Sequence, residues 1–137
     1  MLKDFNNKVA VITGAGNGIG AALARGFAAK GMQVVLADID LAQAEQTAKQ
    51  IGDGATAKQV DVANGDSVQA LADFCFNQFG QVDLLINNAG VFQGGLSWVR
   101  SIEDWDWALG VNLYGIIHGI RAFTPRMIAQ DTEGHIV

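Results

Sequence analysis

With 137 residues, 50% of them hydrophobic, the chain is long enough to enclose one core and too apolar for a disordered segment. A net charge of −5 and the absence of any Lys or Arg run argue against a nucleic-acid or anionic-membrane partner. Cys75 is the single cysteine, which excludes a disulfide framework and a thiolate metal cluster, so no metal site is expected. Met1 to Asn7 contain no signal-like apolar stretch, and no segment reaches membrane-spanning length. A cytoplasmic location is the resulting expectation.

Strand and helix signals alternate along the whole chain. Lys8 to Thr13, with Val9, Ala10, Val11 and Ile12 at its heart, predicts a buried strand. A helix follows the glycine-rich segment and ends at Lys30, with Gly31 just past its C-terminus. Gln33 to Asp38 is a continuous apolar run, the pattern of a strand covered on both faces. Asp40 caps a helix over Leu41 to Ile51, and Gly52 stops it. Ala57 to Val62 predicts a third strand, Ser67 to Phe79 a helix closed by Gly80, and Val82 to Asn87 a fourth strand. After a loop containing Gly94 and Gly95, one long helix is predicted from Ser101 to Gln130, opened by the capping box Ser101-Ile102-Glu103-Asp104. Pro125 should bend or weaken its last turns. Gly134 to Val137 looks like the first residues of a fifth strand. This alternation implies βαβ units with right-handed crossovers, and hence a parallel α/β sheet.

Chemistry concentrates between the first strand and its helix, in Thr13-Gly14-Ala15-Gly16-Asn17-Gly18-Ile19-Gly20. Backbone N–H groups of such a turn, and the positive end of the helix behind it, face an anion. Glycines permit positive φ and let a pyrophosphate approach closely. Asp38 ends the second strand about 20 residues later, where a reader of ribose hydroxyls is expected. Its charge would repel a 2′-phosphate, and no Lys or Arg follows before Lys49. NAD is therefore favoured over NADP.

The spacing Thr13-Gly14-x-x-x-Gly18-x-Gly20 resembles that of the short-chain dehydrogenases/reductases, although Gly16, Gly18 and Ala21 also fit the broader GxGxxA form. Three further motifs follow in the order of that family: Asp61-Val62, Asn87-Asn88-Ala89-Gly90, and Asn112 within Val111-Asn112-Leu113-Tyr114-Gly115. The resemblance implies a Rossmann-type doubly wound sheet of order 3-2-1-4-5, breaking off at the start of strand five. Residues 1–137 would be one NAD(P)-binding domain without the C-terminal catalytic part. It also implies cofactor contacts from Thr13, Gly14, Asn17, Gly18, Ile19, Gly20, Asp38, Ile39, Asp61, Val62, Asn88, Ala89 and Gly90. Asp61 would face the adenine, and Ala89 and Gly90 would let the cofactor come close. Asn87 reads as a strand-end structural residue.

Asn112 is the polar residue of interest on an otherwise apolar helix, because a buried amide is costly unless bonded. The resemblance gives it a catalytic role, holding a water in a proton relay; the alternative is a residue that only pins the helix to a strand. Tyr114 is followed four residues later by His118, so it lacks the lysine that the family's catalytic tyrosine requires, and reads as packing. His118 and His135 read as structural or surface groups, and Cys75 as a packing residue. Trp98, Trp105 and Trp107 read as core or subunit packing, with the rim of a substrate cleft as the alternative.

In the resembled family a serine and a Tyr-x-x-x-Lys pair follow the fifth strand, so the 137 residues alone are expected to be inactive. The function implied is hydride transfer between NAD and an alcohol or ketone. A non-catalytic NAD(H)-binding module and a methyltransferase are the rivals. Ile116, Ile117, Ile120 and Phe123 are expected to lack cover on the long helix 101–130, which would make the chain marginal or bury that face in a homodimer or homotetramer.

Overall fold

The computed structural model describes residues 4–137; the first three of the seven residues expected to lack a signal-like stretch lie outside them. Five strands form one parallel sheet in the order β3-β2-β1-β4-β5, a Rossmann-type doubly wound arrangement. They are β1 Val9–Thr13, β2 Gln33–Asp38, β3 Ala55–Gln59, β4 Leu84–Ile86 and β5 His135–Ile136. The helices are α1 Gly18–Ala28, α2 Leu41–Ile51, α3 Gly65–Phe79, α4 Ile102–Leu109 and α5 Gly115–Ala129.

Alternation along the strands divides the core in two. Val9, Val11 and Val35 face α3 and α5, packing with Val68, Leu71, Leu85 and Phe123. Ala10, Ile12, Val34 and Leu36 face α1 and α2, packing with Ala24, Ala44 and Ala48. Because β1 and β2 are apolar toward both layers, they read as unbroken hydrophobic runs. The register sets Val11 beside Val35 and Leu85, which makes β1 the centre of the sheet.

Caps set where helices begin. Asp40 Oδ1 accepts from Gln43 N at 3.1 Å, and Asn64 Oδ1 from Asp66 N at 2.9 Å and Ser67 N at 3.3 Å. Asp104 N donates to Ser101 Oγ at 3.2 Å while Ser101 N donates to Asp104 Oδ2 at 3.4 Å, completing the expected capping box.

Four expectations need correction. The third strand spans Ala55–Gln59 rather than 57–62, because pairing with β2 fixes it and Val60 to Asn64 turn toward the Asn64 cap. Asp61 and Val62 therefore lie beyond the strand. The fourth strand is confined to Leu84–Ile86, the residues that pair with β1. The long helix is interrupted by a π-helical turn, Gly110–Tyr114, between α4 and α5, while Pro125 lies inside α5 without ending it before Ala129. Phe123 is fully buried, near Phe76 of α3; only Ile116, Ile117 and Ile120 of that expected open face are exposed.

At the amino ends of the strands, Asp83 is buried with three donors. Lys8 Nζ lies 2.9 Å from Oδ1, and Val9 N and Gln81 Nε2 donate to Oδ2 at 2.8 and 3.0 Å. This carboxylate joins the starts of β1 and β4, far from the carboxyl ends where loops converge.

Candidate nucleotide site

The sheet order reverses between β1 and β4, and a crevice opens at the carboxyl ends of the strands there, as in other doubly wound sheets. It is a cleft of about 470 Å³ lined by Gly14, Asn17, Ile19, Gly20, Asp38, Ile39, Asp61, Val62, Asn88, Ala89 and Gly90, together with Val60, Val91, Trp107 and Val111. The first eleven are residues singled out in the sequence. Thr13 and Gly18 do not line it, and Asn112 lines a neighbouring cavity of about 210 Å³ with Val91, Arg100 and Trp105.

Thr13 holds the floor together. Its buried hydroxyl accepts from Asn88 N and Ala89 N, both at 3.0 Å, and Asn88 Nδ2 donates to the carbonyls of Thr13 and Gly14 at 2.9 and 3.1 Å. The glycine-rich turn is thereby clasped to the end of β4. Two glycines make this closeness possible. Gly14 has φ +63°, and a Cβ there would sit 2.8 Å from Ala89 Cα; a Cβ at Gly20 would collide with the Gly14 carbonyl oxygen.

Helix α1 begins differently from its neighbours. Asn17 stands at its N-cap without a capping side-chain bond, and no acid occupies the first turn. The Asn17 amide instead donates to Gln43 Oε1 at 2.6 Å. The positive end of α1 is thus left without a capping side chain beside the cleft. Asp38 lies across the turn, its carboxylate accepting from Gly16 N at 2.8 Å and Asp40 N at 3.0 Å, so its orientation is set before any ligand arrives. Asp61 is anchored similarly, accepting from Ala63 N at 3.0 Å through Oδ1.

Asn112 sits exposed in the π-helical turn with its amide oxygen and nitrogen each making one bond to Val91. Val91 N donates to Oδ1 at 2.8 Å, and Nδ2 donates to Val91 O at 2.9 Å. The side chain pins the helix to the loop after β4. His118 Nδ1 lies 2.9 Å from Val62 O and tethers α5 to the cleft's other wall. The exposed Tyr114 ring packs near His118, centroids 6.3 Å apart.

The tryptophans are not core residues of this chain. None is buried: Trp98 is 81%, Trp105 45% and Trp107 50% exposed. Trp107 and Trp105 instead line the larger and smaller cavities. The sequence offered a cleft rim for Trp107 only as the alternative and did not single out Val111, although their spacing of four puts them on one helix face. No group of three or more His, Cys, Asp or Glu suited to a metal occurs among the described residues.

A nicotinamide dinucleotide fits these donors and spaces: a glycine cradle that a Cβ would fill, an open helix N-terminus, and fixed carboxylates at the ends of β2 and β3. The pattern of the family described as short chain dehydrogenase matches residues 8–137, and the chain belongs to that family. A short-chain dehydrogenase/reductase from Burkholderia phymatum, solved with NAD, is 46% identical with a TM-score of 0.96, over 98% of this chain and 49% of that one. A metagenomic short-chain oxidoreductase solved with NADP is 37% identical with a TM-score of 0.91, over 96% of this chain and 61% of that one. Galactitol 2-dehydrogenase of Agrobacterium fabrum is 38% identical over 135 residues, 97% of this chain and 52% of the enzyme. The chain spans between 23% and 52% of the length of such curated relatives.

Proposed function

We propose that the cleft binds NAD, and that residues 1–137 form the cofactor domain of an oxidoreductase acting on an alcohol or ketone. The observation carrying this is the uncapped N-terminus of α1 beside a cleft that also presents the carboxylate of Asp38, pre-oriented by its bond from Gly16 N. The pyrophosphate would lie over Gly14, Gly18, Ile19 and Gly20, near Asn17, with Thr13 holding the turn. Asp38, with Ile39, would take the adenosine ribose, and Asp61 and Val62 would contact the adenine. Asn88, Ala89 and Gly90 would leave room for the nicotinamide half. When bound, the cofactor supplies or accepts the hydride.

Asn112 is the member of the proton-transfer set that this chain contributes in the proposal. Its side chain acts by positioning, because both amide atoms are bound to Val91. Tyr114 takes no part in the chemistry of this proposal, because His118 and not a lysine stands four residues on; the rival reading is a cofactor-binding module without turnover. Reduction of NAD by the full-length natural protein with a panel of secondary alcohols separates the two. Turnover supports the dehydrogenase, and binding without turnover supports the module.

Calorimetric titration with NAD, NADP and S-adenosylmethionine tests the cofactor. NAD is expected to bind at least about tenfold tighter than NADP, because a 2′-phosphate would meet the Asp38 carboxylate. Equal or reversed affinities would overturn the preference, and binding of S-adenosylmethionine alone would restore the methyltransferase. The protein is further proposed to be cytoplasmic and homo-oligomeric through the face of residues 101–130. No described helix is long and apolar enough to cross a membrane.

A further inference from the structure

Trp107 is a large aromatic side chain left half exposed at the wall of the main cleft. Its position follows from packing in the turn after β3. A Cβ at Gly110 would stand 3.4 Å from Ala63 Cβ, and one at Gly115 only 2.9 Å from Val62 Cγ2. These small residues let the helix segment lie close over Val60 to Ala63. Val111 meets the cleft there, and Trp107, one turn earlier on α4, extends the same wall. Beside it are Ile39, Val60 and Val62, an apolar lining next to the carboxylates of Asp38 and Asp61.

An indole at a cleft suits a flat, polarisable partner, since it offers a broad apolar face with little rotamer freedom to lose. Resting on the nucleotide-binding reading above, we propose that Trp107 is a further cofactor-binding residue. It forms the outer wall of the base-binding end and packs its ring against the adenine. Stacking of an aromatic side chain on a base contributes enough to be read in affinity. The same cleft without Trp107 would hold the ribose and pyrophosphate but leave one side of the base in water.

The test is calorimetry with NAD, AMP and nicotinamide mononucleotide on the wild type, Trp107→Ala, Trp107→Phe and the control Trp98→Ala. Trp107→Ala should weaken NAD and AMP about fivefold to tenfold and leave the mononucleotide unchanged. Trp107→Phe should keep AMP affinity within about twofold, and Trp98→Ala should match the wild type. AMP should also quench tryptophan emission in the wild type and not in Trp107→Phe. That second measurement decides the matter if Trp107→Ala fails to fold. Unchanged AMP affinity in Trp107→Ala, or quenching that persists in Trp107→Phe, overturns the proposal. Loss of mononucleotide affinity instead of AMP affinity overturns it too, by placing the indole at the other end. A wild type that binds neither NAD nor AMP removes the nucleotide site itself, an outcome distinct from the others.

Discussion

The two sides of the sheet are built to different standards of closure. On the β3-β2-β1 side, every residue from Val9 to Thr13 has a partner in β2, and α1 and α2 pack a layer of buried side chains against the sheet. On the β4-β5 side, only Leu84 and Leu85 pair with β5, α4 buries no residue, and Ile116, Ile117 and Ile120 of α5 face solvent. The cleft lies at the carboxyl ends of the strands, between these regions. Its glycine-rich turn rests on the closed side, and its helical wall belongs to the open one. A site fixed by backbone bonds can thus be complete while the surface next to it still has apolar side chains to cover.

Asp83 ties the two sides together, and its removal should have the largest effect. Asp83→Ala would leave Val9 N and Lys8 without their buried partner, at a cost of about 3–5 kcal/mol. Denaturant unfolding with an unchanged slope would measure it; a loss under about 1 kcal/mol would show that β1 and β4 do not depend on this joint. Next comes the closed side's own turn. In Gly20→Ala the new Cβ meets the Gly14 carbonyl, with Asn88 Nδ2 at 2.7 Å and Ala15 Cα at 2.8 Å, and two of these atoms are backbone. A stability loss of about 1–3 kcal/mol is expected, with NAD affinity falling more steeply than stability. Calorimetry beside thermal melting separates the two.

Cys75 offers a smaller effect that reports on the core under α3. Burial pushes its thiol up from 9.0 to about 12, with Lys58 and Arg126 opposing weakly. The folded state therefore keeps the proton that the unfolded chain releases above 9.0. Stability from this residue is intact below that pH and is lost as pH rises toward about 12. Between pH 9 and 10 the wild type should lose up to about 1.4 kcal/mol more than Cys75→Ala. At neutral pH the native thiol should resist alkylation, and modification without unfolding would contradict its burial.

Legibility in the sequence followed how local each cause was. That the glycine turn, Asp38 and the Asn88-Ala89-Gly90 segment meet at one cleft could be read because tight turns and strand ends demand particular residues at short spacing. Their surroundings were not local. The clasp between Thr13 and Asn88 joins residues 75 apart, and nothing near Thr13 announces it. Strand ends were misplaced where pairing, not propensity, decides them: Val60 N still donates to Asp38 O at 2.9 Å, but β2 ends there and gives Asp61 and Val62 no continuing register. For Trp107 the sequence left packing ahead of a cleft rim because hydrophobicity predicts burial, whereas the close approach at Gly110 and Gly115 sets its helix segment beside the cleft. Phe123 was grouped with Ile116 and Ile120 by spacing, but Gly119 and Ala122 beside it let α5 settle on the sheet and take the phenyl ring inside.

The open side makes the mildest prediction for the folded protomer and the most direct test of how that side is covered. Ile117 and Ile120 are 38% and 44% exposed, so placing a charge on them disturbs little packing within the chain. Ile117→Lys with Ile120→Lys should change unfolding free energy by less than about 0.5 kcal/mol per site. If this face joins two copies of the chain, sedimentation should show the wild type associating and the double variant monomeric, since a buried lysine pair without partners opposes docking. NAD affinity should stay as it was, because neither residue lines the cleft. A double variant that retains the wild-type assembly would move the interface elsewhere. A monomeric wild type would leave the open side uncovered by a second copy, and the contrast between the two halves of the sheet would then belong to the chain alone.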